Sequence, residues 1–225
     1  MLTYILLLCL LGSIIQGVFI VVEHKEDYMK ALILKTSASL VFVLIGFLAS
    51  KSCSDAATAK YVLIGLCFGA LGDFMLNLRF VIPSIGSKIF LVGILVFLTG
   101  HVMYLVALIN LSAHVALSVI LGVIASALLL LWIFSKIEAK MAFKIFGVFY
   151  IGAVTLMATF AIINAVNMKS AFALVYAIGA LLFLVSDVVL ILNTFTKTTK
   201  FSLRITNLSL YYLGQLMIAC SLLLL

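Results

Sequence analysis

Charged residues are scarce in this chain. Only 9% of the 225 residues are Asp, Glu, Lys or Arg, whereas 67% are hydrophobic, and the mean hydropathy is +1.42. In a soluble domain roughly a quarter of the residues are charged, because the surface must face water. The scarcity of charge therefore excludes a soluble globular domain, and it indicates that lipid surrounds most of the surface.

The chain also lacks long polar linkers, and its single proline, Pro83, lies between two apolar runs. Each apolar run is long enough to cross a membrane as a helix, and the runs are continuous rather than alternating, which excludes a porin-like barrel. We therefore predict an all-α integral membrane protein, with residues 1–225 forming a single transmembrane domain of about eight helices. The predicted spans are 2–22, 31–49, 60–78, 89–109, 114–135, 141–163, 171–192 and 203–225.

Residues that bind metals are few and scattered. The chain has three histidines and four cysteines, and neither a CxxC nor an HxxxH pair is present. This pattern argues against a zinc site and against a disulfide framework. We expect neither a metal nor another cofactor.

The formal net charge of +7 does not indicate nucleic-acid binding, because the basic residues stand singly between apolar runs rather than in one patch. Basic residues in short loops instead predict orientation, since they favour the cytoplasmic side. We expect the odd-numbered connections in the cytoplasm and both termini outside, as in a bacterial inner membrane protein. The odd-numbered connections hold ten basic residues, Lys25, Lys30, Arg79, Lys88, Lys136, Lys140, Lys144, Lys197, Lys200 and Arg204, and the others hold three, Lys51, Lys60 and Lys169.

Spans three and seven resemble each other. Gly65 precedes Asp73 by the same step as Gly179 precedes Asp187, and the offset of 114 residues also maps His101 onto Gln215. Four spans separate the two segments, so this pattern predicts a parallel duplication of a four-helix unit. A chance match between two apolar, glycine-containing segments is the alternative.

A few polar side chains stand inside the predicted spans, where a charge is costly and usually faces the bundle interior at a functional site. The helical spacing and the predicted orientation place several of them at similar depth, which predicts one polar pocket open towards the cytoplasmic leaflet. These residues are Lys35, Asp73, Asn77, His101, Tyr104, Asp187, Tyr211, Tyr212 and Gln215.

Structural interpretations of the same residues remain open. Lys35 could extend its ammonium group to the membrane interface, and His101 could simply bind a neighbouring helix. The two aspartates could lie in solvated headgroup territory or pair with Lys35, and the tyrosines could belong to an interfacial aromatic belt. The functional interpretation depends on Asp73 and Asp187 together.

The segments around these residues resemble the YhhN family of integral membrane proteins, the lysoplasmalogenases. The family pattern is roughly G-D, G-H-x-x-Y, F-x-x-S-D and T-Y-Y-x-x-Q, and the resemblance covers spans two to eight. Two departures occur: Ser209-Leu210 precedes the tyrosine pair where Thr is expected, and Lys35-Thr36 stands where Lys-Pro is common. The matching residues are Gly72-Asp73, Gly100-His101 with Tyr104, Phe183 with Ser186-Asp187, and Tyr211-Tyr212 with Gln215.

The resemblance implies hydrolysis of the vinyl-ether bond of a 1-alkenyl lysophospholipid, such as lysoplasmenylcholine or lysoplasmenylethanolamine. The products are a fatty aldehyde and glycerophosphocholine or glycerophosphoethanolamine. Asp73 and Asp187 would be the catalytic acid and base, since two carboxyl groups in unlike environments can fill those roles. The expected partners are the lysophospholipid and membrane lipids, and the oligomeric state is open. The expected substrate-binding residues are Lys35, near the phosphate, and Asn77, His101, Tyr104, Tyr211, Tyr212 and Gln215.

Two rival functions remain at this point. An intramembrane aspartyl protease would also have two aspartates in its spans, and Ala70 to Phe74 is similar to the GxGD motif of that class. Its Tyr-Asp and Pro-Ala-Leu motifs are missing here. A small transporter or lipid-binding protein without catalysis would also suit a doubled four-helix plan.

Overall fold

A computed structural model describes residues 2–196 and 198–225, apart from the side chain of residue 142. Within these residues the structure is entirely helical, and two short 3-10 helices, Pro83–Ile85 and Leu222–Leu224, accompany the α-helices. The α-helices are α1 (Leu2–His24), α2 (Tyr28–Ser50), α3 (Ala56–Val81), α4 (Gly86–Asn110), α5 (Val115–Phe134), α6 (Met141–Met168), α7 (Ala171–Phe195) and α8 (Phe201–Ser221).

The prediction of eight membrane-spanning helices is confirmed for the described part of the chain. Eight helices there are long and apolar enough to cross a membrane. Large apolar side chains cover their outer surface, among them Leu6 and Leu10 on α1 and Leu128 and Leu131 on α5. Since helices satisfy their own backbone hydrogen bonds, such a surface can face hydrocarbon. The chain is a multi-pass integral membrane protein.

Helix α3 begins four residues earlier than predicted, because Asp55 caps it. The Asp55 carboxylate accepts hydrogen bonds from the backbone N–H groups of Ala57 at 2.9 Å and Thr58 at 3.1 Å. The Thr58 hydroxyl also donates to it at 2.7 Å, and these hydrogen bonds hold the pKa of Asp55 below its ordinary value. The cap satisfies backbone donors that apolar residues could not.

Helix α6 continues five residues past its predicted end. The prediction ended the span at residue 163, because polar residues follow. Asn164 is nevertheless buried, and its Nδ2 donates to the Leu108 carbonyl oxygen of α4 at 2.9 Å. The helix ends only where Lys169 takes a left-handed conformation, with φ at 49°.

The helices form two halves with matching neighbours. Helices α1 to α4 pack on one another in chain order, as do α5 to α8. The main contacts between the halves are those of α2 with α8 and of α4 with α6, and smaller ones join α1 and α3 to α8. A shift of four helices turns the first of these contacts into the second. This arrangement agrees with the predicted parallel duplication.

Two close helix crossings repeat in the two halves. A methyl group at Gly100 of α4 would lie 3.1 Å from the Gly65 carbonyl oxygen of α3. A methyl group at Gly214 of α8 would lie 2.8 Å from the Gly179 carbonyl oxygen of α7. The residues of the second crossing follow those of the first by 114 positions. Small residues therefore bring α3 against α4 and α7 against α8 in the same way.

The odd-numbered connections lie at one end of the bundle, because successive helices alternate in direction. Asp73 stands eight residues before the end of α3 at Val81, and Asp187 stands eight residues before the end of α7 at Phe195. At a rise of 1.5 Å per residue, each aspartate lies about 12 Å inside that end. The fold thus holds both carboxyl groups at similar depth.

Candidate active site

Asp73 lies in a buried polar cluster between α2, α3 and α8. Its Oδ2 accepts a hydrogen bond from the Tyr211 hydroxyl at 2.8 Å and another from the Ser39 hydroxyl. The Lys35 ammonium nitrogen lies 3.5 Å from the same oxygen and 4.4 Å from the centre of the Tyr211 ring. A negative charge on Asp73 therefore has a buried cation and two hydroxyl donors as partners.

Further side chains hold these partners in place. The Gln215 amide donates to the Tyr211 hydroxyl at 3.3 Å, and its carbonyl oxygen accepts from the Tyr104 hydroxyl at 2.8 Å. Gln16 of α1 accepts from Lys35 at 3.4 Å and donates to the backbone of α8 at 3.2 Å. The Asp73 cluster therefore extends over five helices.

Asp187 has different partners. Its Oδ2 accepts a hydrogen bond from the Tyr150 hydroxyl of α6 at 2.8 Å. His101 of α4 lies behind, with Nε2 3.4 Å from the Tyr150 hydroxyl and 3.9 Å from Oδ2. Among the described residues, neither Lys nor Arg forms an ion pair with Asp187. The His101 ring packs edge-on against Phe183, with the ring centres 4.6 Å apart.

Both aspartates are anchored through one carboxyl oxygen. The contacts of Asp73 and of Asp187 all involve Oδ2, and Oδ1 of each has no hydrogen-bond partner among the described protein groups. Both residues line the same cavity. Each carboxyl group can therefore offer its second oxygen to a molecule in that cavity.

The cavity is amphipathic. It contains about 1100 Å³ of space between protein atoms, part of which is open to the outside. Both polar and apolar side chains line it. The polar residues include Lys35, Asp73, Asn77, Tyr150, Asp187 and Tyr211, and the apolar ones include Ile94, Leu130, Ile133, Phe134, Phe143 and Ile151.

A second pocket, here called the mouth, adjoins the cavity at the end of the bundle that carries the odd-numbered connections. Arg79, Arg204 and Asn207 line both the cavity and the mouth, and the mouth also includes Lys200. Arg204 forms a double hydrogen bond to Glu23 of α1, at 2.6 and 3.0 Å. Because two arginines and a lysine line it, the mouth is rich in positively charged side chains.

Nowhere in the described residues do three His, Cys, Asp or Glu side chains come together in a way that could hold a metal ion. The polar side chains of the cavity offer carboxyl, hydroxyl, amide and ammonium groups, which can bind and transfer protons. These groups can perform general acid–base chemistry on a polar group of a bound molecule.

Comparison with family models gives one decisive match. The model of the YhhN family matches residues 30–222, nearly the entire chain. The chain belongs to the YhhN family. The resemblance seen in the sequence motifs is thereby confirmed. Neither the curated proteins nor the solved structures gave a match to this chain.

In this YhhN-family protein, the predicted site residues fall into three groups. Five of them line the cavity, namely Lys35, Asp73, Asn77, Asp187 and Tyr211. Three others do not line the cavity: His101 contacts Tyr150, Gln215 contacts Tyr211, and Tyr104 donates a hydrogen bond to Gln215. Tyr212 lies apart, since its hydroxyl donates to the Ala38 carbonyl oxygen at 3.1 Å where α8 packs on α2.

The sequence analysis missed three residues that contact this centre. Ser39 and Tyr150 each bind one of the aspartates, and Gln16 binds Lys35. The sequence could have identified Gln16 as a candidate, because an amide side chain inside an apolar span is uncommon. The sequence could not have identified Ser39 or Tyr150, since serine and tyrosine occur widely in membrane helices without a functional role.

Proposed function

We propose that this protein is a lysoplasmalogenase-like hydrolase, which cleaves the vinyl-ether bond of 1-alkenyl lysophospholipids. The observation that carries the proposal is the pair Asp73 and Asp187 on one amphipathic cavity, with unlike charge partners. Membership of the YhhN family supports a reaction of this kind. The amphipathic cavity supports a single-chain lipid as the substrate.

The charges around the two aspartates support different roles. Asp73 has the Lys35 ammonium group 3.5 Å away, so we assign it the role of the ionised carboxylate that activates water. Asp187 has a tyrosine hydroxyl at 2.8 Å, and no Lys or Arg of the described residues forms an ion pair with it, so we assign it the role of the proton donor. Carboxyl groups in such unlike environments divide acid and base roles in other hydrolases.

The proposed reaction returns both carboxyl groups to their starting state. Asp187 protonates the β-carbon of the vinyl ether, which leaves an oxocarbenium ion. Asp73 takes a proton from water, and the resulting hydroxide adds to the cation to give a hemiacetal. Asp73 then protonates the ether oxygen while Asp187 removes the hydroxyl proton, and the C–O bond breaks to give aldehyde and alcohol. Glycosidases stabilise a similar cation with two carboxyl groups.

The apolar part of the cavity would hold the alkenyl chain. Phe143, Gly147, Tyr150 and Ile151 share one face of α6, and all four line the cavity. Nothing lies within 4 Å of a methyl group placed on Gly147. Gly147 therefore leaves room at this wall, which supports a bulky chain in this part of the site.

Orientation is part of the proposal. We place the odd-numbered connections in the cytoplasm, because ten basic residues lie there or at the adjoining helix ends and such residues favour that side. The mouth of the cavity then opens towards the cytoplasm, and both termini lie outside. The membrane would be a bacterial inner membrane.

The test is a chemical one. Purified protein in detergent is incubated with 1-alkenyl, 1-alkyl and 1-acyl lysophosphocholine, and released aldehyde is trapped with a hydrazine reagent. Aldehyde from the alkenyl lipid alone is the expected result, because the alkyl ether has no double bond to protonate. Fatty-acid release from the acyl lipid without any aldehyde would replace this proposal with a lysophospholipase.

A proton-coupled transporter is the second candidate, and the matching arrangement of the two halves favours it, since parallel repeats are common in transporters. Proteoliposomes separate the two functions. Uptake of labelled lysolipid with no aldehyde formation would favour transport, whereas aldehyde formation without a pH gradient would favour hydrolysis.

A further inference from the structure

We propose that Arg79, at the mouth of the cavity, binds the phosphate group of the lysophospholipid. This inference rests on the proposed function, because it identifies how the same site recognises its substrate. Lys35 was the expected phosphate partner, but its ammonium group lies against Asp73 and Gln16 inside the protein. A different cation must therefore meet the headgroup.

Arg79 is a cation that forms no ion pair with any described residue. Its Nε is buried and has no hydrogen-bond partner among the described residues, and no described acidic side chain forms an ion pair with it. The guanidinium carbon lies 4.5 Å from the ring centre of Phe80 and 4.4 Å from that of Phe90. The two rings therefore pack against the planar guanidinium group.

The other arginine of the mouth differs in this respect. Arg204 is neutralised by Glu23, which accepts two of its hydrogen bonds. Arg79 lines both the cavity and the mouth, so an anion that enters from the end of the bundle meets it before it meets Asp73. Arginine suits this task because its rigid fork of donors matches phosphate oxygens.

The spacing along α3 fits the substrate. Arg79 follows Asp73 by six positions, which corresponds to about 9 Å along the helix axis. In a lysophospholipid only the glycerol unit and its oxygens separate the vinyl ether from the phosphorus. A lipid with its vinyl ether at Asp73 and Asp187 can therefore place its phosphate near Arg79 while its chain lies in the apolar part.

Binding of a lipid that cannot be hydrolysed tests this site without requiring turnover. The probes are a fluorescent 1-alkyl lysophosphocholine and the matching 1-alkylglycerol, which has no phosphate. Dissociation constants are measured by fluorescence for the wild type, Arg79→Gln, Arg79→Lys and the control Lys88→Gln. Lys88 is exposed near the same end of the bundle and lines neither the cavity nor the mouth.

Arg79→Gln should weaken binding of the phospholipid about 10-fold or more, because a charge-assisted, two-point contact is lost. It should leave alkylglycerol binding unchanged. Arg79→Lys should fall between the wild type and Arg79→Gln, and Lys88→Gln should match the wild type. Equal loss of both ligands in Arg79→Gln, or no loss of either, would overturn the assignment. Thermal melting of each variant identifies any that are not folded.

Competition distinguishes a lipid headgroup from free phosphate. Glycerophosphocholine should displace the probe from the wild type and not from Arg79→Gln, whereas inorganic phosphate should compete less well. Stronger displacement by inorganic phosphate would overturn the headgroup assignment. Phosphate-dependent binding without aldehyde release would contradict only the proposed reaction. Aldehyde release with binding that does not depend on Arg79 would contradict only this site.

Discussion

The two four-helix halves place an aspartate at the same position and then surround it differently. Asp73 is flanked by α2 and α8, and Asp187 is flanked by α6 and α4, which are the corresponding helices of the other half. Yet only Asp73 has a lysine beside it. A shared framework thus holds two carboxyl groups at one depth, while side chains of single helices give them different partners.

Further differences lie at corresponding positions of α4 and α8. The offset of 114 residues pairs Phe97 with Tyr211 and His101 with Gln215. Tyr211 donates a hydrogen bond to Asp73, whereas Phe97 has no hydroxyl group and packs edge-on against the Tyr211 ring, 5.9 Å between centres. Differences at a few corresponding positions therefore give the two carboxyl groups different hydrogen-bond partners.

Removing either carboxyl group should have the largest effect. Asp73→Asn and Asp187→Asn keep the shape of the side chain but can neither donate a proton as an acid nor carry a charge. Each should lower kcat by roughly 10²–10⁴-fold, the usual contribution of a general acid or base. The double variant should be scarcely slower than either single one, because the two groups act as a unit. Near wild-type kcat in either folded variant would contradict the paired mechanism.

Removing the cation that distinguishes the two centres should have the next largest effect. Lys35→Met leaves the Asp73 charge buried without its partner, so kcat should fall by about 10- to 100-fold, as for the loss of a hydrogen bond to a charged group. Stability should also fall, since breaking a buried ion pair costs about 3–5 kcal/mol. Steady-state kinetics and thermal melting measure both effects. Tyr150→Phe is the matched variant at Asp187, and it should cost less stability because no ion pair is broken there.

Filling the apolar part of the cavity should change the preference for chain length. Gly147→Leu should raise KM for long-chain substrates about 10-fold and leave short-chain substrates unaffected, since each displaced CH₂ group is worth about 0.8 kcal/mol. Gly152→Leu is the matched control, because this glycine of α6 also has open space around it but does not line the cavity. Equal KM values for both variants at every chain length would show that the alkenyl chain of the substrate does not lie beside Gly147.

The smallest effects should come from the helix caps of the two halves. Asp55→Ala at α3 and Ser170→Ala at α7 each remove a side-chain cap, so each should cost about 1 kcal/mol of stability without changing kcat. The pKa of Asp55 is lowered in the folded protein by its hydrogen bonds to Thr58. Its stabilisation is therefore present above the ordinary value of 3.8 and is lost as the pH falls below it.

Melting temperatures from pH 7 down to pH 3 test the caps. The difference between the wild type and Asp55→Ala should shrink across this range, whereas the difference for Ser170→Ala should persist, because serine does not titrate. A constant difference for Asp55→Ala would show that its charge does not contribute.

Physical rules explain which features the sequence could predict. The eight spans follow from continuous apolar runs, and Asp73 and Asp187 stand out because a carboxyl group in such a run is rare. The contacts of Tyr150 and the direction of Tyr212 could not be predicted, since periodicity along one helix does not tell which neighbour a side chain meets. Arg79 was interpreted only as an orientation signal, because its lack of a partner is a property of the packed bundle.

The most direct test of the different charges is the infrared spectrum of the purified protein at neutral pH. A protonated carboxylic acid has a C=O stretching band that a carboxylate does not have. If Asp187 is the proton donor and Asp73 the ionised partner, the wild type should show this band, Asp73→Asn should retain it and Asp187→Asn should lose it. Loss of the band in Asp73→Asn and its retention in Asp187→Asn would contradict the assignment of the two roles.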